Sequence, residues 1–361
     1  MRARAIRMRT EIPGPRSRAL ALRLCAHESR NVTYVSPQTP IFWESASGAV
    51  VVDVDGNQYL DLTAAFGVAA VGHANPRVQQ AVARQAARLP HGMGDVYPTE
   101  LKVALLERLA ALTGLAKGVL CVGGSEAVEV ALKTAYLATG KPRVLAFEGA
   151  YHGLGLGALR VNGIAKFREP FAAMVEEPLL LPFGCDAGTV DRALRSEASV
   201  GAVIVEPLQG RGGERVPPAS FLPALRALTH ERGLLLICDE IYTGFGRTGA
   251  LFASLEAGVV PDLLCAGKAM AGGFPLAVCM GSEAAMAAWP ESSGEALHTS
   301  TYLGNPMACA AALATLDEIE QRSLTARART LEGRIAPALE ALRALAHVRD
   351  VRGRGAMWGV E

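Results

Sequence analysis

Between residues 119 and 280 the hydrophobic residues come as short unbroken runs, at 119–122, 144–147, 202–205, 234–238, 263–266 and 276–280. No polar residue alternates with the apolar ones inside these runs. A strand of this kind needs apolar cover on both faces, which is what a parallel sheet sandwiched between helices supplies. Stretches of helical spacing lie between the runs. Leu101, Leu105, Leu109 and Leu112 recur at three- and four-residue steps, Val128, Leu132 and Ala135 follow Ser125, and 223–232 has the same period. The expected fold is α/β, a mostly parallel sheet with helices on both faces. In such sheets ligands sit beyond the carboxyl ends of the strands, so the residues just after each run are the candidates for chemistry.

The flanks are patterned differently. Val50-Val-Val-Asp53-Val-Asp55-Gly56-Asn57-Gln-Tyr59-Leu60 predicts a β-hairpin around an Asp-Gly-Asn turn. Residues 307–346 are helical in pattern, and a new strand is expected to begin at Val348 and to stop mid-element at Glu361. Together the flanks predict a smaller α+β domain made from 31–62 and 311–361, with a large domain over 63–310 and an arm over 1–30. The first thirty residues hold eight Arg against two Glu and no apolar segment of a secretory signal. They are expected to be a disordered arm, with an organelle transit peptide as the alternative.

Composition sets the remaining bounds. Half of the 361 residues are hydrophobic and Lys+Arg 36 nearly cancels Asp+Glu 35, which argues against intrinsic disorder and against a nucleic-acid-coating polycation. No apolar run approaches the ~20 residues a membrane span needs. The seven cysteines contain no C-x-x-C pair, so neither a disulfide framework nor a zinc site is expected, and a cytoplasmic, reducing location is.

Four strand ends carry distinctive residues. Gly123-Gly124-Ser125 opens a helix, where free N–H groups and the positive helix end suit a phosphate, or where Ser125 simply caps the helix. Tyr151-His152-Gly153 places an aromatic ring where a flat ligand stacks, or where a core is filled. Asp239 follows five apolar residues, and a carboxylate at that depth requires a cation or donors, either a structural Arg or a cationic ligand. Lys268 is the one charged residue between Leu263 and Gly281, the setting of a Schiff-base nucleophile. A buried acid, a reactive lysine, an aromatic face and a phosphate cup describe one cofactor, pyridoxal 5'-phosphate.

From about Tyr34 onward the chain resembles the class III aminotransferases of fold type I, the ornithine, acetylornithine and 4-aminobutyrate type. The resemblance rests above all on Asp239-Glu-Ile-Tyr-Thr-Gly-Phe-Gly-Arg-Thr-Gly249 and on Pro261-Asp-Leu-Leu followed by Gly267-Lys268. It implies transamination from an amino-acid or ω-amine donor to a 2-oxo acid, with Lys268 joined to the cofactor aldehyde and shuttling a proton. Asp239 is then the partner of the ring nitrogen. Two unit charges ~4 Å apart at an effective dielectric of 20 are worth ~4 kcal/mol, or about three pKa units, enough to keep that nitrogen protonated.

The resemblance also assigns Gly124 and Ser125 to the phosphate, Tyr151 and Ile241 to the two ring faces, and His152 to the cofactor pocket. Gln209 falls near the cofactor oxygen and Glu206 at the substrate gate. Thr301 falls where relatives reach the phosphate of the neighbouring subunit, which implies a homodimer with shared active sites. Three positions depart from the family pattern. Tyr242 stands where many relatives have Gln, and Leu154 where ornithine-type members have a carboxylate-holding Arg. The chain also ends several tens of residues before its relatives do, which implies a final strand over 356–360 with an unpaired edge and a truncated, weakly active chain.

Three other readings are weighed. Gly123-Gly-Ser125-Glu-Ala127 approaches a hydrolase nucleophile elbow, with Asp239 and His298 following in Ser-Asp-His order, but Ala127 replaces the last Gly and Lys268 is left unexplained. A dinucleotide site is disfavoured because no strand leads into G-x-G-x-x-G. Within the family, aminomutase or racemase chemistry uses the same lysine and cofactor.

Overall fold

A computed structural model describes residues 6–361; the first five residues of the Arg-rich arm lie outside the described residues. Twelve strands are formed among the described residues: β1 (Trp43–Ser47), β2 (Val50–Asp53), β3 (Gln58–Leu60), β4 (Lys117–Cys121), β5 (Arg143–Phe147), β6 (Leu179–Leu181), β7 (Val200–Val205), β8 (Leu235–Asp239), β9 (Leu263–Ala266), β10 (Ala277–Gly281), β11 (Val351–Arg354) and β12 (Met357–Val360). Seven of them make one sheet in the order β4-β10-β9-β8-β7-β5-β6. The pairs β6–β5, β5–β7, β7–β8 and β8–β9 are parallel, whereas β10 runs antiparallel to both β9 and β4. Six strands therefore point one way and β10 alone opposes them.

The sheet is covered on both sides, as the unbroken apolar runs require. Every residue of β7 is buried. Its Ala202 and Ile204 pack in the cluster under the helix Gly124–Thr139. The alternate residues Val203 and Val205 join the cluster built with Phe221, Leu222 and Leu225 of the helix Phe221–Glu231. Toward the β4 end, Leu264, Val278 and Met280 are sealed by the helices Glu100–Thr113 and Pro306–Gln321. Since Pro306–Gln321 is one helix packed on this layer, the expected domain division at 310/311 falls inside a helix.

Strands β1, β2 and β3 form an antiparallel meander. The expected Asp-Gly-Asn turn joins β2 to β3, and it is held by Asp53, whose buried carboxylate accepts from Asn57 N, Asn57 Nδ2 and the Tyr59 hydroxyl. The chain end differs from expectation. Instead of one strand there is a hairpin, β11 against β12, turning at Gly355 (φ 62°), so β12 has a partner along one edge. The arm differs too, because Pro15–His27 is a helix rather than disordered. Its first-turn N–H groups, on Arg16 and Ser17, donate to the Asp55 carboxylate at 2.7 and 2.9 Å, and that supplies the partner a helix start needs. Strands β1 and β6 were not anticipated; three residues of β6 are too short to show a period.

The loop after β5, which carries Tyr151 and His152, folds back on the strand end. Gly163 donates to Ala150 O at 2.9 Å and accepts from Gly149 N at 3.2 Å. A Cβ on Gly163 would lie 2.1 Å from Phe147 O and 2.7 Å from Ala150 N, backbone atoms with nowhere to go. Gly163→Ala is expected to destabilise the fold by about 1–3 kcal/mol. Denaturant unfolding checks this, and an unchanged midpoint would show that the loop is not held as described.

Candidate active site

Because β4, β5, β7, β8 and β9 run in one direction, the residues following each arrive at one edge of the sheet. There they enclose a cavity of about 530 Å³ whose lining includes Gly124, Ser125, Tyr151, His152, Glu206, Asp239, Ile241, Tyr242 and Lys268. Nine of the eleven site residues singled out in the sequence thus share one cavity. Gln209 and Thr301 do not line it. Gln209 is buried and donates from Nε2 to Glu148 O at 2.8 Å, and Thr301 is exposed.

Asp239 closes β8 and is 4% exposed. Its Oδ2 lies 2.7 Å from His152 Nδ1, and its Oδ1 accepts from Ile241 N at 3.0 Å. Of the two partners expected, no arginine is present; a histidine and a backbone amide hold the carboxylate, and the cationic ligand stays open. With Nδ1–H donating to Asp239, the ring's Nε2 is left buried and without a partner. The neighbouring Glu240 takes the opposite side of the strand. It is fully buried and accepts from Thr243 Oγ1 and from the N–H groups of Ala253 and Ser254, so it serves the core. Burial pushes its carboxyl upward.

Lys268 follows β9 through Gly267, with a backbone φ of +35° that side chains rarely adopt. Strain of this sort, of order 1–3 kcal/mol, clusters where a side chain must be aimed. Its Nζ lies 5.2 Å from the Tyr242 ring centroid. Burial pulls the amine below its ordinary value, Asp239 and Glu206 pull the other way, and Arg211 adds to the lowering.

Ser125 is not a cap. The helix Gly124–Thr139 starts from Gly123 with no side-chain cap, and Ser125 Oγ instead accepts from Gly155 N at 3.1 Å. The hydroxyl proton and the N–H groups of Gly124 and Ser125 remain available to an anion. Gly124 lets the Ile241 side chain lie against the helix start, where a Cβ would come within 2.7 Å of Ile241 Cδ1.

Glu206 lies under the cavity. Its Oε1 accepts from Tyr151 N at 2.9 Å and its Oε2 from Gly210 N at 3.1 Å, so both oxygens are committed to backbone and tie two loops together. Sequence reasoning missed Arg211, Val68 and Phe274 in the lining, and Phe167 behind Tyr151. Arg211 was open to inspection, since it follows the β7 run by a few residues; Phe167 carries no local signal.

The hydrolase arrangement does not assemble. Asp239 is held by His152, and His298 instead stands 3.1 Å from Lys133 Nζ. A second cavity, about 440 Å³, is rimmed by Arg143, Arg160 and Glu176, whose charges pair with one another.

These residues fit pyridoxal 5'-phosphate: a buried acid, a half-buried amine, an unpartnered imidazole nitrogen, an aromatic ring and a helix start with a free hydroxyl share one cavity. Comparison with known proteins points the same way. The family profile "Aminotransferase class-III" matches residues 32–361. The chain is 38% identical to the acetylornithine aminotransferase of Methanosarcina mazei, over 92% of this chain and 82% of that one. It is 39% identical to the 4-aminobutyrate aminotransferase of Mycobacterium bovis, over 98% and 84%. Among solved structures, an ornithine aminotransferase from Toxoplasma gondii superposes with a TM-score of 0.88 at 29% identity, covering 96% of this chain and 82% of that one. An amine transaminase from an uncultivated Pseudomonas species, in its PLP-bound form, gives 0.84 at 30%, covering 91% and 82%.

Glu206 sets a pH dependence. Its carboxyl is pushed up to about 7, chiefly by burial, with the Asp239 charge adding and His152 opposing. The folded state then holds this proton more tightly than the unfolded chain. Stability from this group is full below about pH 4.5 and falls as pH rises toward 7, by about 3 kcal/mol in all. Glu206→Gln removes that slope. The difference in unfolding free energy between variant and parent is expected to shift in the variant's favour between pH 5 and 7, and a flat difference would contradict the assignment.

Proposed function

Since the chain belongs to the class III aminotransferases, pyridoxal-phosphate-dependent enzymes that pass an amino group from an amino donor to a 2-oxo acid, we propose that Lys268 and Asp239 are its two catalytic residues. The observation that carries this reading is their convergence, from the ends of adjacent strands β8 and β9, on one cavity with the helix start at 124–125.

Bound pyridoxal 5'-phosphate supplies an electrophilic carbonyl and an electron-withdrawing ring. Lys268 Nζ is the nucleophile and the proton carrier. Its burial favours the neutral amine, which alone can attack a carbonyl and accept a proton. The Asp239 carboxylate stays where a protonated ring nitrogen would meet it because His152 and the Ile241 amide fix both its oxygens. His152 is thus a positioning residue. Ser125 Oγ–H and the N–H groups of Gly124 and Ser125 take the phosphate, Tyr151 and Ile241 face the ring, and Tyr242 lies beside Lys268. Glu206 positions Tyr151 and the 209–215 turn through its two backbone bonds, and Gln209 secures the same turn from beneath.

Thr301 is outside the cavity of its own chain, and we assign it to the phosphate of a second copy. Segments 91–97 and 297–302 lie together through Thr299–Asp95 and His91–Tyr302 contacts and expose Met93, Val96, Tyr97 and Tyr302. An apolar surface of this kind supports a homodimer. Seven unpaired thiols, and no helix among the described residues long and apolar enough to cross a membrane, support work in a reducing cytoplasm.

The purified protein is expected to show a visible absorption band that borohydride abolishes, with the label on Lys268; Lys268→Ala should lose both band and turnover. Asp239→Ala should keep the fold and lose transamination by orders of magnitude, and near-normal turnover would refute its role. Light scattering is expected to give twice the mass of one chain, and a monomer that is fully active would remove the assignment of Thr301.

A further inference from the structure

The charged groups of the cavity are nearly all spoken for. Glu206 is held by two backbone amides, and Asp239, fixed by His152 and the Ile241 amide, is reserved for the cofactor ring nitrogen, so neither serves a substrate group at the mouth. Arg211 also lines the cavity, and its contacts are of another kind. Its guanidinium lies 4.6 Å from the Tyr151 ring centroid and 5.0 Å from that of Phe167, two rings that are themselves edge-on to each other at 5.5 Å. Among the described residues it has no ion-pair partner. A guanidinium stacked on aromatic rings keeps its in-plane N–H donors and loses little freedom on gripping a carboxylate.

The turn that presents it is rigid. Gln209 and Arg215 exchange two backbone hydrogen bonds at 3.0 Å, and Glu206 holds Gly210 N. Gly212 seats on the Gly149 loop so closely that a Cβ would lie 2.6 Å from Gly149 O, and Arg352 of the C-terminal hairpin donates to Gly213 O. Arg211 is therefore a pre-placed cation, exposed to entering ligands, whose charge is felt at Lys268. It follows β7, whereas the phosphate-binding helix start follows β4, four places away in the sheet, roughly 19 Å at ~4.8 Å per strand. The two anion-attracting features thus rise from opposite sides of Asp239 and Lys268. Leu154, also in the lining, contributes only apolar surface.

We propose that Arg211 grips the carboxylate of the amino-acid donor and of the 2-oxo-acid acceptor, and so selects carboxylated substrates over plain amines. The inference rests on the transaminase reading of the cavity and adds the residue that chooses the substrate class.

The test compares the holoenzyme with its Arg211→Ala and Arg211→Lys variants. Single half-reactions are followed by cofactor absorbance with 4-aminobutyrate and with 1-aminobutane, and calorimetry measures binding of valerate, which carries a carboxylate and no amine. Arg211→Ala is expected to lower kcat/KM for 4-aminobutyrate about 10- to 100-fold, mainly through KM, and to weaken valerate by a similar factor. The change with 1-aminobutane should stay under about threefold, and Arg211→Lys should recover part of the loss. In the parent, but not in Arg211→Ala, 0.5 M NaCl should erode the preference. Equal losses with both amines, or unchanged valerate binding, would overturn the proposal. So would weakened pyridoxal phosphate binding with valerate unaffected, because Arg211 would then serve the phosphate. Absence of the borohydride-sensitive band in the parent would instead remove the transaminase reading, while the valerate titration would still report on Arg211.

Discussion

A strand buried on both faces has no tolerable place for a polar side chain along its length, and this restriction shapes the whole molecule. In β7 to β9 nearly all residues are apolar and buried, so polar groups appear only where the strands run out. With the strands aligned, every such position falls at one edge. The cavity is the consequence of keeping the interior dry, and its residues come from five loops that are far apart in the chain but neighbours in space.

The electrostatics within that edge are set by which carboxylates find partners. Asp239 and Glu240 are adjacent, yet strand alternation sends one to the cavity and the other into the core. Glu240 is satisfied by two amides and a hydroxyl and has nothing left to offer a ligand. Glu206 is satisfied by two amides that belong to different loops. Only Asp239, held by an imidazole, keeps its charge facing an open volume. Three buried acids of like chemistry therefore have three different uses, decided by what donates to each.

Much of this was legible in the sequence and the rest had physical reasons to be hidden. The apolar runs announced the principal strands, because a sheet covered twice leaves a continuous hydrophobic signature, and Ser125, Tyr151, Asp239 and Lys268 could be found by looking just past them. Strand β6, three leucines long, has no period to read. The His152–Asp239 pair joins residues 87 positions apart, and nothing local marks either as the other's partner. Arg211 lies among glycines a few residues past the β7 run, where position alone marked it; its meaning comes from two rings that the β5 loop brings over it. Gln209 and Thr301 were placed at the site by resemblance, and within a single chain neither side chain faces the cavity.

The helix Pro15–His27 has its opening amides satisfied by Asp55, a residue of the meander's turn about forty positions later. Thirteen residues are marginal for a helix alone in water. As the chain emerges from the ribosome, this segment must wait for the β2–β3 turn to be made before its own first turn is secured. A segment made earlier thus depends on one made afterwards, and its order reports on whether the neighbouring hairpin has closed.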